Sequence, residues 1–261
     1  MGYLQNFGSL KRKIKEFGPD IIHAHYGLCG VLANLQRRVP VVTTFHGSDI
    51  NLPTVLKWSK IAMALSAHSI FVSKRNIAIA GPKKNFSLIP CGINLSDYPE
   101  MSKEEARKAL GWPLEAKKVL FAGAFDNKVK NAPLAKDAVA LLPGVDLVEL
   151  KGFSRSEVSV LMNAADALLM TSLTEGSPQV VKEALACNCP VVSVDVGDVG
   201  EVVVNVEECA IVPRSPEKIA GALKLVLERG VRIRGRERIV DNGMTNDIAV
   251  EKLMSVYRSV V

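Results

Sequence analysis

A chain of 261 residues, 48% hydrophobic and 23% charged, has ordinary globular composition and room for one large domain or two small ones. It contains no run of 18 apolar residues, and its start, MGYLQNFGSLKRKIKEF, has no signal-peptide pattern, so a membrane-spanning or cleaved leader segment is not read here. Net charge is +6 and uneven: residues 1–100 hold 12 Lys and Arg against 5 Asp and Glu, the remainder 21 against 22. A basic first part is expected to meet an anionic partner, such as a phospholipid surface, a lipid-linked diphosphate or an acidic glycan, or else to be a solvated face. Nucleic acid is set aside, because aromatics are 5% and no stacking platform is visible. Cys29, Cys91, Cys187, Cys189 and Cys209 are odd in number and scattered, which fits a reducing compartment rather than a disulfide framework.

In chain order, residues 7–17 predict a basic amphipathic helix, with Leu10, Ile14 and Phe17 at core spacing and Lys11, Arg12, Lys13 and Lys15 on the other side. That helix is either a membrane-surface contact or a solvated face. A strand is predicted over 20–25, a helix over 28–36, a strand over 39–45, a helix over 54–65, and strands over 69–73 and 87–90. Residues 94–102 are polar and aperiodic and read as a linker between a domain over 1–93 and one over 103–245. The second alternation runs helix 103–110, strand 118–122, helix 132–142, strand 145–150, helix 155–164 and strand 167–170. After the stretch 173–194 come a short helix over 199–204, a strand over 210–212 and a helix over 216–229. Helices over 232–240 and 247–258 close the chain, the last expected to pack back toward the first domain. Alternating strands and helices predict two α/β, Rossmann-like, doubly wound parallel sheets, with ligand sites beyond the carboxyl ends of their strands.

The most informative stretch is LTEGSPQVVKEALACNCPVVSV, residues 173–194. It reads as loop, helix, tight turn and buried strand, with Pro178 at the first helical position, Val180, Val181, Ala184 and Leu185 at helical spacing, and Asn188 ending the helix. A glycine-bearing loop entering a helix offers backbone N–H groups and a positive dipole end, which together bind anions. Glu175 and Glu183 flank that place, Glu183 lying about 7.5 Å along the axis from Pro178. Carboxylates repel phosphate but accept hydrogen bonds from sugar hydroxyls, so a diphosphate with a sugar at each end satisfies the pattern. A capped helix carrying two solvated glutamates satisfies the spacing as well. Elsewhere, His46 follows a strand directly and points into a ligand crevice. His23 and His25 share one side of a strand without a visible third metal ligand, Cys187 and Cys189 lack a completing pair, and Asp195 and Asp198 sit in a Gly-rich turn, so no metal site is predicted.

Glu-Gly-Ser-Pro-Gln-Val-Val-Lys-Glu-Ala followed by Pro-Val-Val resembles the signature of family 4 glycosyltransferases of the GT-B fold. Asp20-Ile-Ile-His-Ala-His25, Thr44-Phe-His-Gly-Ser-Asp49, Ile89-Pro-Cys-Gly-Ile93 and Leu120-Phe-Ala-Gly123 match further landmarks in the same order. The resemblance implies two domains facing a cleft and retaining, metal-independent transfer of a sugar from a nucleoside-diphosphate donor to an acceptor hydroxyl, with the nucleotide sugar a substrate and no cofactor. It implies that Glu175 holds the donor sugar and Glu183 the ribose. Lys130, with the backbone of Gly176, Ser177, Gln179 and Val180 around Pro178, holds the diphosphate, and His46 orients the sugar from the other domain. In the loop Gly123-Ala-Phe-Asp-Asn-Lys-Val-Lys130 the family has an arginine where this chain has Ala124, and Lys128 is the nearest substitute, although a flexible ammonium does not reproduce a bidentate guanidinium.

The strand over 20–25 looks like the fourth of the family's acceptor domain, so an N-terminally incomplete domain is expected. Ile21 and Ile22 would then lie on an open edge prone to self-association, unless the 7–17 helix covers it. The place of action expected is cytoplasmic, at the inner membrane face, on a glycan or lipid-linked acceptor. A nucleotide-sugar-binding module without transfer, and an epimerase or phosphorylase on the same architecture, are the competing readings.

Overall fold

In the computed structural model, which describes residues 5–261, the chain divides into two compact units. The first holds the residues up to Cys91 together with Asp247–Val261, and the second holds Gly92–Asn246. Among the described residues no helix is long and apolar enough to cross a membrane.

The first unit carries a parallel sheet of β1 (Ile22–His25), β2 (Val41–Phe45), β3 (His68–Phe71) and β4 (Phe86–Leu88), in chain order. β2 is buried at every position, the mark of a strand covered on both faces. Phe45 and Phe71 stack at 5.2 Å on one side with Ile50 and Ala62 beside them. Val42, Ile70 and Ile89 meet Val256 of the C-terminal helix Asn246–Val260 on the other. β1 pairs only with β2, at Ile22↔Val41 through His25↔Thr44, and is an edge of the sheet among the described residues. Ile21 and Ile22 are half-buried there, and the helix Phe7–Phe17 buries none of its own residues. A helix that the apolar periodicity did not announce, Lys74–Ala80, starts where Ser73 Oγ accepts from the Asn76 N–H and ends at left-handed Gly81.

The second unit carries β5 (Lys117–Phe121), β6 (Val145–Glu149), β7 (Ala167–Met170), β8 (Val191–Val194) and β9 (Ala210–Val212). Their order is β6-β5-β7-β8-β9, all parallel. The chain adds β6 on one side of β5 and returns to add β7 on the other. The order therefore reverses between β5 and β7, which opens a crevice at their carboxyl ends. β7 and β8 are buried throughout, and Val181, Ala184 and Leu185 pack into the same core. Each such Val or Leu side chain contributes roughly 1.5–3 kcal/mol by leaving water. Residues 94–102, read above as a linker, lie in the second unit. They form a 3₁₀ turn over Leu95–Asp97, and Asn163 Nδ2 donates to Pro99 O at 3.0 Å.

Candidate active site

The strand reversal brings two loops together. After β5 the chain runs through Gly123 to the 3₁₀ turn Lys128–Lys130, and after β7 it runs through Thr171 to the helix Gln179–Ala186. Thr171 Oγ1 donates to the carbonyls of Lys130 and Asn131 at 2.9 and 3.0 Å, and Leu173 N–H donates to Val129 O at 2.8 Å. Arg214 donates to Thr171 O and Leu173 O from the outer side. The loops are thus tied together by side-chain and backbone hydrogen bonds of the chain itself.

Lys130 Nζ and Glu175 Oε1 meet at 2.7 Å, with side chains 22% and 16% exposed. Gly123 makes this possible. Its φ is +154°, and a Cβ there would stand 2.7 Å from Lys130 Cγ, so only glycine lets the lysine stem cross the backbone. Lys128, two residues back, stays in solvent, because a 3₁₀ turn of three residues per turn places it on a different side from Lys130. The expectation that it replaces the guanidinium missing at Ala124 finds no geometric support.

The helix starts at Gln179 rather than at Pro178, whose ψ of 117° is extended; Pro178 is the cap and offers no side-chain bond. The first-turn N–H groups of such a helix have no intrahelical acceptor. The helix ends at Ala186, and Asn188 follows in the left-handed conformation rather than ending it. Gly176 and Pro178 are buried, and Gln179 is exposed.

Ser177 is engaged from behind. Lys182 Nζ, fully buried, donates to Ser177 Oγ at 2.9 Å, and buried Asp198 shares a hydrogen bond with the same hydroxyl. Burial raises the Asp198 pKa, and Ser177 and Lys182 oppose that rise. Gly197, at φ +58°, lies so close that a Cβ would stand 2.7 Å from Gly176 O. The Ser177 side chain therefore anchors the loop and leaves the backbone for a ligand. Sequence reading left Lys182 unassigned and took Asp198 for a turn residue.

Glu183 shares a helix face with Gln179, four residues earlier. Gln179 Nε2 donates to Gly92 O at 2.9 Å, and Glu183 accepts from the Tyr98 hydroxyl. Burial raises the Glu183 pKa, with Tyr98 and then Arg155 opposing it. The two glutamates thus serve different surroundings: Glu175 the Lys130 loop, Glu183 the segment around Tyr98.

His46 belongs to the first unit, directly after β2. Its N–H donates to Asp49 Oδ1 at 3.0 Å, and its Nε2 lies 2.8 Å from His25 Nδ1 with the rings stacked. Burial, then His25, lowers the His46 pKa. His23 sits beside His25, with Nδ1 2.6 Å from Tyr257 OH and Nε2 2.7 Å from Thr44 Oγ1. The third histidine of this cluster is His46, supplied by the neighbouring strand and not visible from β1 alone. Both His23 nitrogens are spoken for. Among the described residues no group of three or more His, Cys, Asp or Glu is arranged to hold a metal.

Two parallel α/β sheets of this kind match those of solved GT-B-fold structures. The solved structures most like the chain include sucrose-phosphate synthase from Thermosynechococcus elongatus, with TM-score 0.87 and 22% identity, covering 97% of this chain and 77% of that one. Anabaena HepE in complex with UDP gives TM-score 0.80 and 17% identity, covering 97% and 82%. Residues 2–97 match the model described as Glycosyltransferase Family 4, and residues 114–229 the model described as Glycosyl transferases group 1. Similar sequences include TuaC of Bacillus subtilis (strain 168), assigned as a teichuronic acid biosynthesis glycosyltransferase, 29% identical over 81% of this chain and 62% of TuaC. The amylovoran biosynthesis glycosyltransferase AmsK of Erwinia amylovora is 28% identical over 83% of this chain and 63% of AmsK. The chain thus spans under two thirds of the length of these relatives. The two family models match neighbouring parts of the chain, and the solved structures share its fold.

Proposed function

We propose that this chain serves transfer of a sugar from a nucleoside-diphosphate sugar to an acceptor hydroxyl, with retention of anomeric configuration and without a metal, in the synthesis of a cell-surface polysaccharide or glycolipid. The observation that carries this is the Lys130–Glu175 pair beside the uncapped helix start at the strand reversal. An ammonium and several N–H groups accept a diphosphate, and a carboxylate next to them accepts sugar hydroxyls. In this reading Lys130 and the N–H groups of Gly176, Ser177, Gln179 and Val180 hold the diphosphate, Glu175 the sugar and Glu183 the ribose. The chemistry is positioning and charge stabilisation of the leaving diphosphate, whose oxygen takes the acceptor proton.

The relatives' assignments to teichuronic acid and amylovoran biosynthesis support the product class, and HepE, described with UDP and with UDP-glucose, supports the donor class. The basic first hundred residues support action at an anionic, cytoplasmic membrane face on a glycan or lipid-linked acceptor. Ala124 favours a second reading, a module that binds nucleotide sugar without transferring it. Incubation with a panel of radiolabelled nucleotide sugars and lipid-linked acceptors, with the product anomer read by NMR, separates them. A glycoside of the donor's own configuration supports transfer with retention. Binding without product supports the module, and an inverted product refutes retention.

A further inference from the structure

The segment that leads into the second unit lies along the helix bearing Glu183, and it is held at both ends. Gln179 Nε2, at the helix start, donates to Gly92 O at 2.9 Å. At the helix end one guanidinium spans both elements: Arg236 Nη1 donates to Ala186 O at 2.9 Å and to Tyr98 O at 2.7 Å, and its Nη2 donates to Leu95 O at 3.1 Å. Between these ties the Tyr98 ring is 3% exposed, packed in the core of the unit, and its hydroxyl donates to the Glu183 carboxylate. The backbone spacing of ring and carboxylate is therefore set by four side-chain-to-backbone hydrogen bonds and not by the hydroxyl itself.

We infer that Tyr98 is a positioning residue for Glu183: its hydroxyl holds one carboxylate oxygen and leaves the second oxygen turned out for a vicinal diol. The inference rests on the reading of Glu183 as the ribose acceptor. Two groups oppose the burial that disfavours the Glu183 charge, and they differ in kind. Arg155 is 71% exposed on its side chain and pairs with Asp97 at 2.9 Å, so water and that carboxylate screen it. Tyr98 is dry and in direct contact. Asp97 also faces Tyr98, and Glu100 pairs with Arg236 at 3.3 Å, so neither acidic neighbour helps Glu183 to ionise. A hydroxyl donor that cannot leave is what a buried carboxylate needs to stay a competent acceptor.

The test is Tyr98→Phe, which removes one oxygen and keeps the ring. The Glu183 side-chain carboxyl is titrated by carbon NMR in the ligand-free protein, its signal assigned by its absence in Glu183→Gln. UDP, GDP and ADP affinities are measured by calorimetry in the wild type, both single variants and the double variant. The expected result is a higher Glu183 midpoint in Tyr98→Phe, and an affinity at least threefold weaker near pH 6 for whichever diphosphate binds. That loss should vanish in the Glu183→Gln background, where a merely structural effect of the ring would persist. An unmoved midpoint overturns the inference, as does an equal loss in both backgrounds. A moved midpoint with Glu183→Gln binding every diphosphate as the wild type does, or with no diphosphate bound, overturns the ribose reading on which the inference rests.

Discussion

Lys130 Nζ stands 2.7 Å from Glu175 Oε1, so the site's cation and the carboxylate proposed to hold the sugar are already paired with each other. With both side chains under a quarter exposed, the pair is organised before ligand binding, and a diphosphate must share the ammonium with the carboxylate. Removing the carboxylate's charge then acts oppositely on the two halves of the donor. Glu175→Gln should leave UDP affinity unchanged or tighter and lower kcat by on the order of 10–100-fold, the value of one charge-assisted hydrogen bond. Parallel calorimetry with UDP and steady-state turnover of the donor check this; equal losses in both would remove Glu175 from the sugar.

Gly197 is required by contact as well as by conformation. Its φ is +58°, and an added Cβ would press on Gly176 O at 2.7 Å. Gly197→Ala should destabilise the second unit by about 1–3 kcal/mol and weaken nucleotide binding, because the displaced atom belongs to the loop itself. Thermal unfolding and UDP titration measure the two effects. An alanine variant with wild-type midpoint and affinity would show that the loop tolerates the shift.

His23 makes stability depend on pH. Burial, then the neighbouring charges of His25 and His46, lower its pKa from 6.5 to about 4. The unfolded chain takes up a proton near pH 6.5 and the folded chain resists until about pH 4, so protonation favours unfolding inside that window. The stability that neutral His23 contributes is present in full above pH 6.5 and is lost as pH falls toward 4. Denaturant titrations at pH 7.5 and 4.5 should show a smaller drop for His23→Gln than for the wild type, and an NMR titration should place the His23 midpoint near 4. A midpoint near 6.5 would contradict the assignment.

Charge on the leaving diphosphate is assigned here to Lys130 and the helix start. Transfer should therefore persist in excess EDTA at its initial rate. Loss of turnover on chelation, restored by Mg²⁺ or Mn²⁺, would move that role to a metal.

The second unit was the more legible in the sequence, for local reasons. Helices Lys103–Leu110 and Arg155–Ala164 open on capping boxes, Ser102 with Glu105 and Ser154 with Glu157, and their bounds follow from those residues. β7 is four apolar residues with no polar interruption, as a strand covered on both faces must be. Helix Lys74–Ala80 escaped because KRNIAIA has no apolar period; the signals present were Ser73 and Gly81 at its ends. Glu175 and Glu183 stood out because they bracket a helix start, and Lys130 because the family resemblance places a lysine in its loop. Tyr98, Lys182 and Asp198 did not. Their meaning comes from partners that only the folded chain supplies, and a lysine on a helix otherwise reads as a solvated charge.

The central claim is that the strand reversal of the second unit binds a nucleoside diphosphate through Lys130. Calorimetric titration of UDP, GDP and ADP, with the matching nucleosides, into the wild type and Lys130→Met measures it most directly. The account predicts that at least one diphosphate binds the wild type, that Lys130→Met weakens it by roughly 10–100-fold, and that the nucleoside loses almost nothing. Equal diphosphate affinity in the two proteins, or no binding of any diphosphate to the wild type, would contradict it.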